Sequence, residues 1–145
     1  MNLKPILKTI RNAKSILIST HANPDPDALA SELAMALFLK AQGKKVFVVN
    51  EESVPNRFAF IPAVELIYAH KNFKKIDYDV AVVLDCGELE RVGSVFKLID
   101  RRKPLINIDH HITNDTFGTL NFVKPAASST AEVLFELLKA GRCVM

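Results

Sequence analysis

Short aliphatic and β-branched runs alternate along this chain with segments of helical period, and few folds satisfy such an alternation. Ser15 to Thr20 carries Ile16, Leu17 and Ile18; Lys45 to Val49 and Leu105 to Ile108 are similar; Val80 to Leu84 is apolar at every position. A strand that is apolar on both sides is expected to be covered on both sides, as in a parallel sheet. Leu3 to Asn12 places Leu3, Ile6, Leu7 and Ile10 at helical spacing, and the Ala/Leu-rich stretch Ala28 to Ala41 is followed by Gly43 as a stop. Ser94 to Asp100 predicts a short helix. Ser129 to Lys139 predicts a longer one, opened by a capping box of Ser129 and Glu132 and ended at Gly141. Ser53 to Pro62, punctuated by Pro55 and Pro62, predicts a short helix between loops, and Glu65 to Tyr68 a brief strand. The expected fold class is α/β, a parallel sheet flanked by helices on both faces.

The 145 residues suit one domain, and 49% hydrophobic with 24% charged residues excludes a disordered or fibrous chain. The N-terminal stretch alternates cations with apolar residues and lacks the apolar run of a signal peptide, and no apolar run is long enough to span a bilayer. Two cysteines, Cys86 and Cys143, make no disulfide framework, so the expected location is the cytoplasm, with no membrane partner. The net charge of +3 is mild, and the short basic runs read as solvated faces rather than nucleic-acid patches.

Three polar clusters each follow a strand. His21-Ala-Asn-Pro-Asp25-Pro-Asp27 follows the first, Asp85 ends Val80 to Leu84, and Asp109-His110-His111 ends Leu105 to Ile108. In an open parallel sheet the carboxyl ends of the strands share one edge, where ligands bind. Singly, each cluster has a plain reading: Asp27 as the N-cap of the Ala28 helix, Asp25 as a turn residue, His110 and His111 as loop residues. Jointly they gather carboxylates that repel one another unless a cation is present. Carboxylates and imidazoles without thiolates suit manganese or magnesium better than a closed zinc site. Two such ions can clamp the attacking and leaving oxygens of a phosphoryl transfer, and one carboxylate must bridge them. Asp85 is best placed for that, with His21 and Asp25 toward one ion and Asp27 and His110 toward the other.

These motifs resemble the first three of the DHH phosphoesterase superfamily. The text between them, Val49 to Pro62, Asp85 to Gly93 and Phe117 to Val123, is similar to the branch of bifunctional oligoribonucleases and pAp phosphatases. The resemblance implies a manganese-dependent hydrolase acting on short RNA oligonucleotides or on 3′-phosphoadenosine 5′-phosphate (pAp). It implies two Mn2+ ions, with Mg2+ as the alternative: His21, Asp25 and Asp85 on one, Asp27, Asp85 and His110 on the other. Catalytic roles then fall to Asp85, to His111 on the scissile phosphate, and to Asp109, which orients a ligand. Arg91 and the stretch Ser128-Ser129-Thr130 are implied to lie near the substrate, with Arg91, Ser128 and Ser129 as its binding residues; alternatively Arg91 pairs with Glu88 or Glu90, and Ser129 is simply an N-cap.

Members of the superfamily carry a fourth aspartate motif on a later strand and then a second, nucleotide-gripping domain. No Asp or Glu follows Glu136. Residues 1–145 therefore read as the N-terminal domain, ending before the fourth motif, with hydrolysis by this chain in question and a homo-oligomer favoured by an open sheet edge. Two alternatives stand beside this reading: another branch of the superfamily, a pyrophosphatase or a cyclic-dinucleotide phosphodiesterase, and a non-catalytic metal- or nucleotide-binding fragment.

Overall fold

A computed structural model describes residues 2–142. Six strands form one sheet, β1 (Ser15–Ser19), β2 (Lys45–Asn50), β3 (Ile67–Ala69), β4 (Val80–Leu84), β5 (Leu105–Asp109) and β6 (Leu120–Val123), in the order β3-β2-β1-β4-β5-β6. Every pairing is parallel, with Ile18 opposite both Val48 and Val82, and Leu84 opposite Ile108. The chain winds outward from β1 through β2 to β3, then returns to the centre at β4 and winds the other way. The switch point lies between β1 and β4, and the crevice of such a sheet opens there, beyond the strands' carboxyl ends.

Three α-helices accompany the sheet: α1 (Lys4–Asn12), α2 (Pro26–Ala41) and α3 (Thr130–Arg142). The two-residue period of each strand divides its side chains between two cores. Ile16, Ile18, Val80, Val82, Ile106 and Ile108 pack on the face that carries the α-helices, against Ile6, Leu29, Leu39 and Leu134. Leu17, Ala81, Val83 and Leu105 face the other way, onto Tyr78, Val92, Val95 and Leu98. That second face is covered by 3-10 turns over Leu89–Leu98, so both faces are flanked and the strands are buried as their sequence requires. Trimming a fully buried side chain such as Leu39 to Ala costs about 2–5 kcal/mol.

Several elements differ from their sequence-based expectation. The helix expected from Ala28 begins at Pro26, because Asp25 rather than Asp27 is its N-cap: Asp25 Oδ1 accepts from Ala28 N at 2.9 Å, and Pro26 takes a first-turn position needing no N–H. The helix expected over Ser94 to Asp100 is 3-10 structure broken at Gly93 (φ 67°, ψ −140°). Ser53 to Pro62 holds a single 3-10 turn at Asn56–Phe58, and the strand expected at Glu65 to Tyr68 is Ile67–Ala69. Strand β6 had no sequence signal; it is a short, half-buried edge strand interrupted by Asn121. At α3 half of the capping box forms: Ser129 Oγ accepts from Glu132 N at 3.2 Å, while the Glu132 carboxylate accepts from Ser128 N and Oγ instead. Cys143 and the end of the chain at Met145 lie outside the described residues. Among the described residues no helix is long and apolar enough to cross a membrane.

Candidate metal centre

The three clusters converge at the switch point. Asp85 stands immediately beyond β4 in the left-handed region (φ 54°), a conformation that Asp tolerates better than most residues. Its backbone N–H is held by Ile108 O at 3.0 Å, and its side chain is 2% exposed. The carboxylate is divided between two sides. Oδ2 lies 3.6 Å from His21 Nε2; Oδ1 lies 3.7 Å from His110 Nε2 and 3.8 Å from His111 Nδ1. Burial alone would raise the Asp85 pKa; contact with His21, the Thr130 hydroxyl and the nearby His111 outweigh it, and the group titrates below the usual carboxylate range. The His21 imidazole is correspondingly raised, chiefly by Asp85.

Backbone carbonyls set the imidazole tautomers. His21 Nδ1 lies 2.8 Å from Ala22 O and His110 Nδ1 3.4 Å from Ala127 O. A carbonyl only accepts, so each Nδ1 carries hydrogen, and in the neutral ring Nε2 turns a lone pair toward Asp85. His111 differs. Its Nδ1 donates to the fully buried Asp109 at 2.7 Å, which leaves that nitrogen no lone pair. Asn114 Nδ2 braces Asp109 Oδ2 at 2.7 Å and also reaches Asn107 Oδ1 at 2.7 Å.

Two sets of donors lie within 4.8 Å of one another: His21, Asp25 and Asp85, and Asp85, His110 and His111. Asp85 belongs to both. Oxygen and nitrogen donors without a thiolate, with His21 and His110 back-bonded through Nδ1, fit a hard divalent cation. Among the described residues no lysine or arginine pairs with Asp25, Asp27, Asp85 or Asp109 within 4.0 Å, and the basic side chains that do lie within that distance of Asp27, Asp85 and Asp109 are imidazoles. Asp27 borders the second set, 3.9 Å from His110 Nε2. Both of its oxygens accept from the start of α3, Oδ2 from Thr130 N at 2.8 Å and Oδ1 from Ala131 N at 3.0 Å.

His21, Asp25, Asp27, Asp85, Asp109, His110 and His111 are thus brought to one place. Arg91 is exposed and forms no ion pair with Glu88 or Glu90 among the described residues. Its carbonyl accepts from Ala22 N at 2.7 Å, which ties it to the first cluster, and its charge acts on His21. The Ser128 hydroxyl serves Glu132 and Ser129 caps α3. The hydroxyl that reaches the centre is the next one, Thr130, at 2.7 Å from Asp85 Oδ1. Asn107 and Asn114 belong to none of the three motifs, and the resemblance alone brings Thr130 near the substrate; its hold on the centre runs through Asp85, 45 residues away.

Comparison with known proteins places the fold and the family. Residues 15–144 match the model of the DHH family, N-terminal domain. The bifunctional oligoribonuclease and PAP phosphatase NrnA of Thermus thermophilus is 37% identical over 134 residues, 92% of this chain and 38% of the relative. Its Bacillus subtilis counterpart is 27% identical over 94% of this chain and 42% of the relative. The chain thus spans about two fifths of the length of these relatives. The crystal structure of an exopolyphosphatase-related protein from Bacteroides fragilis superposes with a TM-score of 0.88 at 27% identity, covering 96% of this chain and 43% of that one. With its parallel sheet, its three motifs and a family match over nearly all its length, this chain belongs to the DHH family, as an N-terminal domain.

Proposed function

We propose that this chain carries a two-cation centre, for Mn2+ with Mg2+ as the alternative, of a cytoplasmic phosphoesterase that hydrolyses short oligoribonucleotides and pAp. The observation that carries the reading is the division of Asp85, whose two oxygens face two separate donor sets. His21, Asp25 and Asp85 would hold one ion, and Asp85, His110 and Asp27 the other. When bound, such ions supply Lewis-acid polarisation of a phosphoryl oxygen and a lowered pKa of coordinated water.

The chain's own residues do the rest. His21 and His110 present Nε2 because their Nδ1 atoms are spent on carbonyls. Asp109 holds His111 through Nδ1–H, so that the imidazolium form of this 37% exposed side chain would donate Nε2–H to a phosphoryl oxygen. Arg91 adds a positive charge beside the first cluster to attract the substrate phosphate, and the loop of Ser128 and Ser129 borders the second donor set. The substrates follow from the relatives' names and from the sequence resemblance.

The test pairs binding with turnover. Mn2+ binding by calorimetry, and release of mononucleotide from a dinucleotide RNA and of phosphate from pAp, are measured for the wild type and Asp85→Asn. Wild-type binding and turnover, both lost in the variant, are expected. Unchanged Mn2+ binding by Asp85→Asn overturns the centre, and cation binding with neither substrate cleaved overturns hydrolysis by this chain in favour of a non-catalytic binding fragment.

A further inference from the structure

We propose that Thr130 is a positioning residue of the metal centre: its hydroxyl fixes the rotation of the Asp85 carboxylate between the two donor sets. The inference rests on the metal-centre reading above and adds a residue that neither the three motifs nor the donor sets contain.

Thr130 is fully buried at the start of α3. A hydroxyl there ordinarily caps its own helix, but Ser129 already fills that role through Glu132 N. The Thr130 hydroxyl is therefore free of its helix. It has one proton and two carboxylates in reach, Asp85 Oδ1 at 2.7 Å and Asp109 Oδ1 at 3.5 Å, and the shorter distance assigns it to Asp85. The oxygen it takes is the one facing His110 and His111; Oδ2, facing His21, is left to its own set.

Two further features make this a clamp rather than a chance contact. A β-branched residue in a helix has few χ1 choices, so the hydroxyl direction is set by the backbone of α3. That backbone is itself anchored to the centre, since Thr130 N and Ala131 N hold the two oxygens of Asp27. One end of α3 thus fixes a carboxylate from the first cluster and the carboxylate shared by both donor sets. A carboxylate free to rotate would present both sets only part of the time, and the bond from Thr130 removes that freedom.

The test is Mn2+ affinity, followed by calorimetry and by electron paramagnetic resonance of free Mn2+, for the wild type, Thr130→Ser and Thr130→Ala. The two variants lose the same methyl group and differ only in the hydroxyl. Thr130→Ser is expected to bind as the wild type does, and Thr130→Ala about tenfold or more weaker, the usual scale for a residue that orients a ligand. Equal affinities for Thr130→Ser and Thr130→Ala, both folded by circular dichroism, overturn the proposal, because a structural role alone makes no such distinction. Should Thr130→Ala not fold, Thr130→Val preserves the shape and takes its place in the comparison. A wild type that binds no Mn2+ overturns the metal-centre reading itself, a result distinct from equal affinities on a binding wild type.

Discussion

Asn50 Nδ2 donates to Glu32 Oε1 at 2.6 Å, and the two side chains are 1% and 0% exposed between β2 and α2. Glu32 Oε2 and Asn50 Oδ1 are buried without a partner. A carboxylate would bury a charge beside these bare acceptors with a single hydrogen bond to offset it. A carboxylic acid removes the charge. Burial pushes the Glu32 carboxyl up to about 8, against the smaller opposing effect of Asn50.

The pH dependence of stability follows from that shift. The folded value lies above the ordinary 4.5, so Glu32 contributes its full stability below about pH 4.5, and the contribution fades as pH rises to about 8. Glu32→Gln keeps the shape and an uncharged amide in place of the acid. Urea unfolding at pH 5 and pH 8.5 is expected to show the wild type losing at least about 2 kcal/mol more than the variant over this range. Identical pH slopes would show that Glu32 is not held neutral.

Gly93 tests the loop that follows Asp85. Its φ of 67° with ψ −140° is a region that side chains avoid, and a Cβ there would lie 2.6 Å from Glu51 Oε2. Glu51 cannot swing away freely, because it accepts from Ser94 N at 2.5 Å and from the Ser94 hydroxyl. Gly93→Ala is expected to lower the unfolding free energy by about 1–3 kcal/mol with an unchanged m-value. A midpoint equal to the wild type's would mean that the loop relaxes at no cost.

The sheet and the convergence of the clusters were legible because both rest on short-range periodicity: strands apolar at every position imply parallel pairing, and residues just past such strands share an edge. What escaped the sequence depends on distance along the chain. Thr130 is 45 residues from Asp85 and 103 from Asp27, and nothing near it in sequence announces either partner. Asp25 and Asp27 are two residues apart, and only the local backbone decides that Asp25 caps α2 while Asp27 accepts from α3. β6 is an edge strand whose single buried residue, Phe122, leaves too little pattern to read.

Cys86 lies directly beside Asp85, yet its environment argues against chemistry. It is fully buried, its Sγ donates to Glu88 O at 2.9 Å, and burial pushes the thiol up to about 12. Iodoacetamide at pH 7.5 is expected to modify Cys86 in the native protein more than about a hundredfold slower than in urea, as peptide mapping would show. Rapid native labelling would require a more open crevice beside β4.

Asp109 controls which nitrogen His111 can offer. The ionised carboxylate accepts only, so it fixes hydrogen on His111 Nδ1 at 2.7 Å while its other oxygen takes Asn114 Nδ2 at 2.7 Å. Asp109→Asn must turn its amide NH2 toward one of these donors. With Asn114 held by Asn107 Oδ1 and Cys86 O, the NH2 is expected to face His111. Nδ1 must then accept, the ring can no longer carry both protons, and the one that remains moves to Nε2. Nitrogen NMR of the imidazole reports this exchange directly, in the absence of metal or substrate. The variant is expected to show the Nε2–H tautomer, a stability loss of about 1–3 kcal/mol and, on a cleavable substrate, turnover lowered about 10- to 100-fold. Retention of the Nδ1–H tautomer in Asp109→Asn would show that Asp109 does not set the state of His111, and the role of His111 at the phosphate would then need another support.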